Sequence, residues 1–148
     1  MMNPFLNRLA SSNEERLYKR FINLLMTCGK KAKARAILYK VLLRLPPSVT
    51  VTSAVENVKP IVEVRKVRVG GKTYEVPAIL KTQRQETMAI RWIVQSAIKE
   101  QRRNNKIAQC IFTEIINASQ KKGQARKKRD DLHRKAEDNR AFMHYRWW

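Results

Sequence analysis

The net charge limits what this chain can fold into more than any motif does. Lysine and arginine contribute 32 positive charges and aspartate and glutamate 12 negative ones, which leaves a formal charge of +20 over 148 residues. A compact chain with this charge repels itself unless an anion neutralises it. Nucleic acid is the usual anion, because its phosphates are dense and release counterions on binding. Since 43% of the residues are hydrophobic, we expect one domain over residues 1–148 with a buried core, not a disordered basic tail.

Several classes of protein are excluded by the pattern of apolar residues. No run approaches the roughly 18 apolar residues that a membrane helix needs, so no membrane partner is expected. Residues 1–13 form a short tail without the apolar segment of a secretory signal, and no transit peptide is evident.

Cys28 and Cys110 lie in apolar helical patterns, which predicts two buried free thiols in a reducing compartment.

Hydrophobic periodicity predicts a mainly helical fold of about six helices. A first apolar stripe runs from Leu17 to Cys28 at steps of three and four, and Gly29 suits the end of that helix, where positive φ is common. A second stripe runs from Ala34 to Leu45 and stops at two prolines. A short third helix follows before the period changes.

The alternation over residues 61–78 is typical of a β-hairpin, inserted after the third helix. Gly70-Gly71 suits a two-residue turn. Because Val64 and Val67 are three residues apart, the alternation slips once, which predicts a bulge near Arg65-Lys66. A two-stranded ribbon is marginal alone in water, so we expect it to pack on the helices or to be held by a partner.

Helical patterns resume after the hairpin. One helix is expected from near Thr82, and another after Asn104 or Asn105, either of which suits a helix N-cap. A basic loop is predicted over residues 121–130. The two aspartates at its end favour the start of a last helix, because the helix dipole attracts negative charge there, and this helix would run to about Tyr145.

Basic residues concentrate in three clusters. Nine occur between Arg16 and Arg44 with no acidic residue among them. A solvated helix face usually mixes both signs, so this segment is interpreted as an anion-binding surface. The ribbon carries a second cluster, for which protection of a strand edge is the alternative. The predicted loop over 121–130 carries a third, for which a disordered basic segment is the alternative.

The C-terminal segment combines aromatic and basic side chains, which suits stacking on unpaired RNA bases. Packing in the core is the alternative, and we favour it for Phe142 and for Trp92. The residues expected to meet RNA bases are Tyr145, Trp147 and Trp148, with Arg140 and Arg146 beside them.

No arrangement of residues favours catalysis, so the chain is not expected to be an enzyme. His133 and His144 are expected on one face of the last helix, with no nucleophile at a useful spacing. Two cysteines and two histidines without close spacing do not make a metal site. Gly70-Gly71 is a hairpin turn without the further glycines of a phosphate-binding loop, and no cofactor is expected.

Several motifs resemble ribosomal protein seven of the small subunit. They occur in the family's order from about residue 15 to residue 147, and the resemblance is strongest to the bacterial and organellar branch, particularly the plant mitochondrial form. The motifs are FINLLMTCGKK at 21–31, AVENVKP at 54–60, VEVR at 62–65, RVGG at 68–71, Tyr74, Val76-Pro77, Arg91-Trp92 and AEDNRAFMHYRW at 136–147.

The resemblance implies a helical domain that binds the 3′ major domain of small-subunit ribosomal RNA and nucleates assembly of the head. It implies neighbouring head and platform proteins as partners, and a ribbon near the exit tRNA site and the mRNA path. The implied contacts with ribosomal RNA are Arg16, Lys19, Lys30, Lys31, Lys33, Arg35, Lys127, Lys128, Arg140, Tyr145, Arg146 and Trp147. The implied ribbon residues near tRNA and mRNA are Arg65, Arg68, Gly70, Gly71 and Lys72.

The chain also departs from this family. Bacterial members begin with a longer basic arm, whereas residues 1–12 carry only Arg8, and the extension that some bacterial members carry after the last motif is missing. Val41 stands where the family usually has a small residue. The resemblance favours a mitochondrial ribosome, with the protein made inside the organelle; a plastid or a bacterial cytoplasm is the alternative.

Two other functions fit parts of the sequence. A helical body with a basic ribbon also suits an architectural protein that binds the minor groove of DNA, although such ribbons tend to place an apolar wedge at the tip, where this chain has two glycines. An RNA-modifying enzyme is the second alternative, and no cofactor loop or catalytic cluster supports it.

Overall fold

A computed structural model describes residues 12–101 and 106–148 of the chain. The predicted mainly helical fold, with a hairpin after the third helix, is confirmed. The helices are α1 (Ser12–Leu25), α2 (Lys31–Arg44), α3 (Val51–Val58), α4 (Thr82–Gln101), α5 (Ile107–Ser119) and α6 (Gln124–Asp138). The strands are β1 (Val62–Val69) and β2 (Lys72–Ile79), and a 3₁₀ helix (Arg140–Tyr145) follows α6.

The core is built around α5, which contacts α2, α3, α4 and α6. Ile111 and Ile115 of this helix are fully enclosed. Phe21 of α1 and Val41 of α2 are also fully buried in this core. Trp92 packs against the core from a partly buried position, as predicted. The predicted N-caps Asn104 and Asn105, and nearly all of the tail over 1–13, lie outside the described residues.

The ribbon pairs without interruption from Val62 opposite Ile79 to Val69 opposite Lys72, so the predicted bulge near Arg65-Lys66 is wrong. The error arose because a charged residue, Glu63, occupies a buried position on β1. Its carboxylate accepts hydrogen bonds from arginines, which an alternation of apolar residues does not reveal.

The segment predicted as a basic loop over 121–130 is helical from Gln124 onward, so that prediction is wrong for most of its length. Helix α6 buries only Ala125 and Ala136, so its apolar periodicity is weak. The two aspartates at 130 and 131 lie inside α6, and a 3₁₀ turn after Asp138 replaces the predicted continuation to Tyr145. His133 and His144 therefore lie on different elements.

One of the two cysteine predictions is also wrong. Cys110 is buried, but Cys28 is exposed. Helix α1 ends at Leu25, and Cys28 lies in the following turn with φ 49°. The prediction was wrong because the apolar spacing continues to Cys28, about one turn beyond the end of α1 at Leu25.

Candidate nucleic-acid interface

The turn between α1 and α2 presents lysines beside a helix N-terminus. Gly29 has φ 71°, a conformation that glycine adopts without strain. The turn is closed by the Lys30 amide, which donates to the Thr27 carbonyl at 3.0 Å, and by the Lys31 amide, which donates to the Gly29 carbonyl at 2.7 Å. The first turn of α2 holds no acidic residue. The helix dipole and the lysines together therefore make the N-terminus of α2 electropositive.

The predicted RNA-binding residues of this region fall into two groups. Arg16 and Lys19 are engaged with carboxylates: Arg16 lies 2.9 Å from Glu86, and Lys19 lies 2.6 Å from Glu15. In the second group the side chains are exposed and make no ion pair with any described residue; this group is Lys30, Lys31, Lys33 and Arg35. The second group is therefore the one available to bind phosphate.

Sequence reasoning missed the carboxylate that orders α1. Glu86 on α4 is buried, with its side chain 4% exposed, and it also receives Arg20 at 2.5 Å. Arg20 donates a further hydrogen bond to the Gln83 carbonyl at 3.0 Å. No local pattern links residues separated by more than 60 positions, so the sequence offered no signal for this cluster.

The ribbon tip is a two-residue turn in which Gly70 and Gly71 have φ 56° and 82°. Positive φ at both central residues is the hairpin turn that glycine favours, and it matches the twist of the strands. On the strands beside it, three exposed cations make no ion pair with any described residue: Lys66, Arg68 and Lys72.

Arg65 differs from the other ribbon cations because it is held in place. Its Nε donates to Glu63 at 2.6 Å, and its guanidinium lies 5.2 Å from the centroid of the Trp148 ring. Glu63 also receives Arg84 at the start of α4, at 3.0 Å. Arg65 therefore joins the ribbon to the C-terminal segment.

The ribbon packs on α6 and on the 3₁₀ helix. Packing on the helices was one of the two predicted alternatives. Tyr74 lies 5.2 Å from Phe142 and 4.7 Å from Tyr145, ring centroid to ring centroid. Lys135 of α6 pairs with Glu75 of β2 at 2.7 Å. These contacts fix the direction in which the ribbon projects.

His133 adds a polar contact at the ribbon base. The Ile61 amide donates to His133 Nε2 at 3.1 Å, so this nitrogen must be unprotonated. Burial lowers the pKa of His133, and the nearby Arg129 lowers it further. The neutral imidazole that accepts this hydrogen bond is thus the favoured form.

Helix α6 turns much of the third basic cluster toward the protein. Arg126 and Arg129 donate to the Asn57 carbonyl at 2.7 and 3.3 Å, and Arg126 also pairs with Asp130 at 3.1 Å. Lys128 lies 3.4 Å from the Gln95 side chain, and burial followed by the charge of Lys99 lowers its pKa. Lys127, the other predicted RNA contact here, is exposed.

A buried carboxylate starts α6 where the sequence shows no cap. Glu114 of α5 accepts from the Ala125 amide at 2.7 Å. Burial raises the pKa of Glu114, and the Ala125 hydrogen bond opposes that rise. Gly123 precedes the helix with φ 93°, and a β-carbon at this position would meet the side chains of Glu114 and Asn117.

The C-terminal aromatic residues divide between packing and exposure. Tyr145, which we expected to stack on bases, is partly buried against Tyr74, together with Phe142. Trp147 is 81% exposed and meets Trp148 edge to face at 5.7 Å. Of the predicted stacking residues, Trp147 has the most free ring surface; Arg140 and Arg146 are exposed nearby.

The described residues hold no group of three or more His, Cys, Asp or Glu side chains that is arranged to bind a metal ion. Among them, no helix is both long and apolar enough to cross a membrane.

Comparison with known proteins identifies the family. Residues 5–140 match the family described as ribosomal protein S7p/S5e. The chain belongs to this family. S7 proteins are structural and not enzymatic, which agrees with the sequence prediction and removes the RNA-modifying alternative.

Relatives in the S7 family come from plant mitochondria and from bacteria. The chain is 51% identical to the small ribosomal subunit protein uS7m of Marchantia polymorpha over 93% of its own length and 63% of that protein's. It is 45% identical to uS7m of Arabidopsis thaliana, over 89% and 93% of the two chains. It is also 45% identical to uS7 of Gluconacetobacter diazotrophicus, over 86% and 85%. The predicted bacterial and organellar type is confirmed.

Proposed function

We propose that this protein binds the 3′ major domain of small-subunit ribosomal RNA and organises the head of a mitochondrial small subunit. Membership of the S7 family, with its structural role in the small subunit, supports the assignment. The observation that carries it is the cluster of unpaired cations at the α1–α2 turn, presented beside a helix N-terminus. Phosphate groups bind well at such a positive end.

The proposal gives each surface a different part. The α1–α2 turn and the start of α2 supply most of the affinity, because their cations have no other partner among the described residues. Lys127, Arg140, Arg146 and Trp147 extend the same contact from the other end of the chain. Neighbouring head and platform proteins complete the set of partners.

The ribbon is proposed to lie near the exit tRNA site and the mRNA path. The ribbon is fixed as far as Tyr74 by Arg84, Lys135 and the aromatic cluster around Tyr74, while the last two residue pairs and the turn at Gly70-Gly71 project beyond these contacts. A rigid ribbon with an exposed basic tip suits a surface that guides a nucleic acid without holding it tightly. Arg65, Arg68 and Lys72 are the cations that would meet tRNA or mRNA.

Removing the three lysines at the turn tests the assignment of affinity. We expect Lys30→Gln, Lys31→Gln and Lys33→Gln together to weaken binding to the 3′ major domain RNA by at least about tenfold at moderate salt, and to reduce the slope of log affinity against log salt by about 2 to 3. Filter binding or fluorescence anisotropy across a salt series measures both quantities.

The control removes the same charge elsewhere. Lys81, Lys99 and Lys106 are exposed and lie outside the proposed contact, so their triple substitution by glutamine lowers the net charge equally. We expect that variant to lose much less affinity. Equal losses in the two variants would mean that net charge alone binds the RNA, and would contradict the assignment to the turn.

A further inference from the structure

Helix α2 has apolar residues on two opposite faces. Its inner face buries Leu38 and Val41 in the core. On the outer face, Ala36, Tyr39 and Leu43 recur at steps of three and four, and all are exposed: Tyr39 by 45% and Leu43 by 57%. At 3.6 residues per turn, these three residues form one stripe, on the opposite side from the buried one. Contiguous exposed apolar side chains of this kind mark a contact surface.

Basic residues border this outer stripe on both sides. The same helical geometry places Lys31 and Arg35 along one edge, and Lys33, Lys40 and Arg44 along the other. Helix α2 contains no acidic residue. Arg44 donates to the Gln109 side chain at 3.2 Å, whereas the other four make no ion pair with any described residue.

Two basic rows with an apolar strip between them suit a surface that is negative along both edges and less polar at its centre. An RNA duplex has such a surface in its minor groove, which is wide and shallow, lined by riboses and bordered by two phosphate strands. The minor groove of B-form DNA is narrow and does not admit a helix face in the same way. A protein partner would need two acidic rows at matching spacing.

We propose that the outer face of α2 rests in the minor groove of a duplex segment of small-subunit ribosomal RNA, with Ala36, Tyr39 and Leu43 against the riboses and the two basic rows on the flanking phosphates. This inference rests on the proposed function and deepens it, since it adds a shape-dependent contact to the charge at the turn. The small side chain of Ala36 lets the helix approach the groove.

A neutral substitution separates this contact from charge. Leu43→Gln keeps the charge and a similar size but removes apolar surface from the strip. We expect it to weaken binding to the 3′ major domain RNA by about fivefold or more, with an unchanged salt slope, because no phosphate contact is lost. Hydroxyl-radical footprinting should show that riboses on both sides of one minor groove are protected by the wild type and less protected by the variant.

Two further variants complete the test. Ile98→Gln makes the same kind of change at an exposed position on α4 and should leave affinity unchanged. Ala36→Gln adds bulk to the strip without charge and should weaken binding like Leu43→Gln. All three positions are exposed, so thermal unfolding midpoints close to that of the wild type are expected and show that the variants fold.

The outcomes distinguish the inference from the proposed function. If the wild type prefers the RNA over duplex DNA of equal charge but Leu43→Gln and Ala36→Gln bind as the wild type does, the inference is wrong and the proposed function stands. If those variants bind naked RNA normally but are lost from assembled subunits, the stripe contacts a protein and the inference is also wrong. If the wild type shows no preference for the RNA, the proposed function itself fails.

Discussion

Glu86 carries a charge in the protein interior between α1 and α4. Its side chain is 4% exposed, and it is stabilised by Arg16 at 2.9 Å and Arg20 at 2.5 Å. Burying a charge without a partner is costly, so each arginine contributes by compensating the carboxylate rather than by strong attraction of its own. Two of the basic residues of α1, Arg16 and Arg20, therefore stabilise the fold by pairing with Glu86.

Removing both arginines should destabilise the protein. We expect Arg16→Gln with Arg20→Gln to lower the free energy of unfolding by about 2 kcal/mol, less than for a fully enclosed pair because Arg16 is half exposed. Urea unfolding followed by circular dichroism measures this. Lys19→Gln, which breaks an exposed pair with Glu15, should change stability by less than about 0.5 kcal/mol. Equal effects would contradict the structural role of Glu86.

His133 makes the ribbon base sensitive to acid. Its pKa is lowered in the folded protein by burial and then by Arg129, so the unfolded chain binds the proton more readily. The contribution of His133 is therefore complete above about pH 6.5, its ordinary pKa, and is lost as the pH falls through the lower folded value. Protonation also removes the acceptor for the Ile61 amide.

The measurement compares unfolding free energies at pH 7 and pH 5. We expect the wild type to lose more stability on acidification than His133→Gln. Glu114 has a raised pKa and contributes with the opposite sign, but it is common to both proteins and cancels in the comparison. Parallel curves for the wild type and His133→Gln would contradict the account.

Single residues show where sequence reasoning stops. Gly70-Gly71 predicted the hairpin turn because its conformational requirement is local. The burial of Glu63, Glu86 and Glu114 was not predicted. Their carboxylates are compensated by arginines or by a backbone amide that folding brings close from other parts of the chain. Cys28 was placed inside a helix that had already ended.

At the scale of elements, the start of α6 depends on another helix. Gly123 has φ 93°, and a β-carbon there would lie 3.0 Å from the Asn117 β-carbon and 3.1 Å from Glu114 Oε1. Gly29 has φ 71° at the α1–α2 turn, with open space around it. These two glycines have a similar conformational requirement but different surroundings.

Alanine at each position separates conformation from crowding. We expect Gly29→Ala to cost about 1 kcal/mol, from the left-handed conformation alone. Gly123→Ala should cost about 2 kcal/mol or more, because it also disturbs the Glu114 carboxylate that caps α6. Urea unfolding gives both values, and amide hydrogen exchange should show the additional loss in the first turn of α6. Equal costs would contradict the role of Glu114.

The elements that the sequence predicted correctly have strong local periodicity. Helix α4 begins at Thr82 as predicted, and the hairpin occupies 62–79 against a predicted 61–78. The start of helix α6 was predicted at Asp130 and not at Gln124, because the helix buries only two alanines and takes its cap from α5. Elements stabilised mainly by tertiary contacts leave little trace in their own residues.

At the scale of the whole molecule, the charge of +20 is distributed unevenly. Carboxylates meet the arginines of α1 and of the ribbon base, and the Asn57 carbonyl meets Arg126 and Arg129 of α6. The α1–α2 turn, the outer edges of α2 and the ribbon tip keep cations without partners among the described residues. The repulsion left by these surfaces is relieved when a polyanion binds.

The most direct test of the account is binding to the 3′ major domain of small-subunit ribosomal RNA, compared with duplex DNA of equal charge, across a salt series. Salt weakens both complexes, because both release counterions. We predict that a preference for the RNA persists as salt rises, since recognition of RNA shape depends less on counterion release. Equal affinities at every salt concentration would show that charge alone binds, and would contradict the proposed recognition of ribosomal RNA.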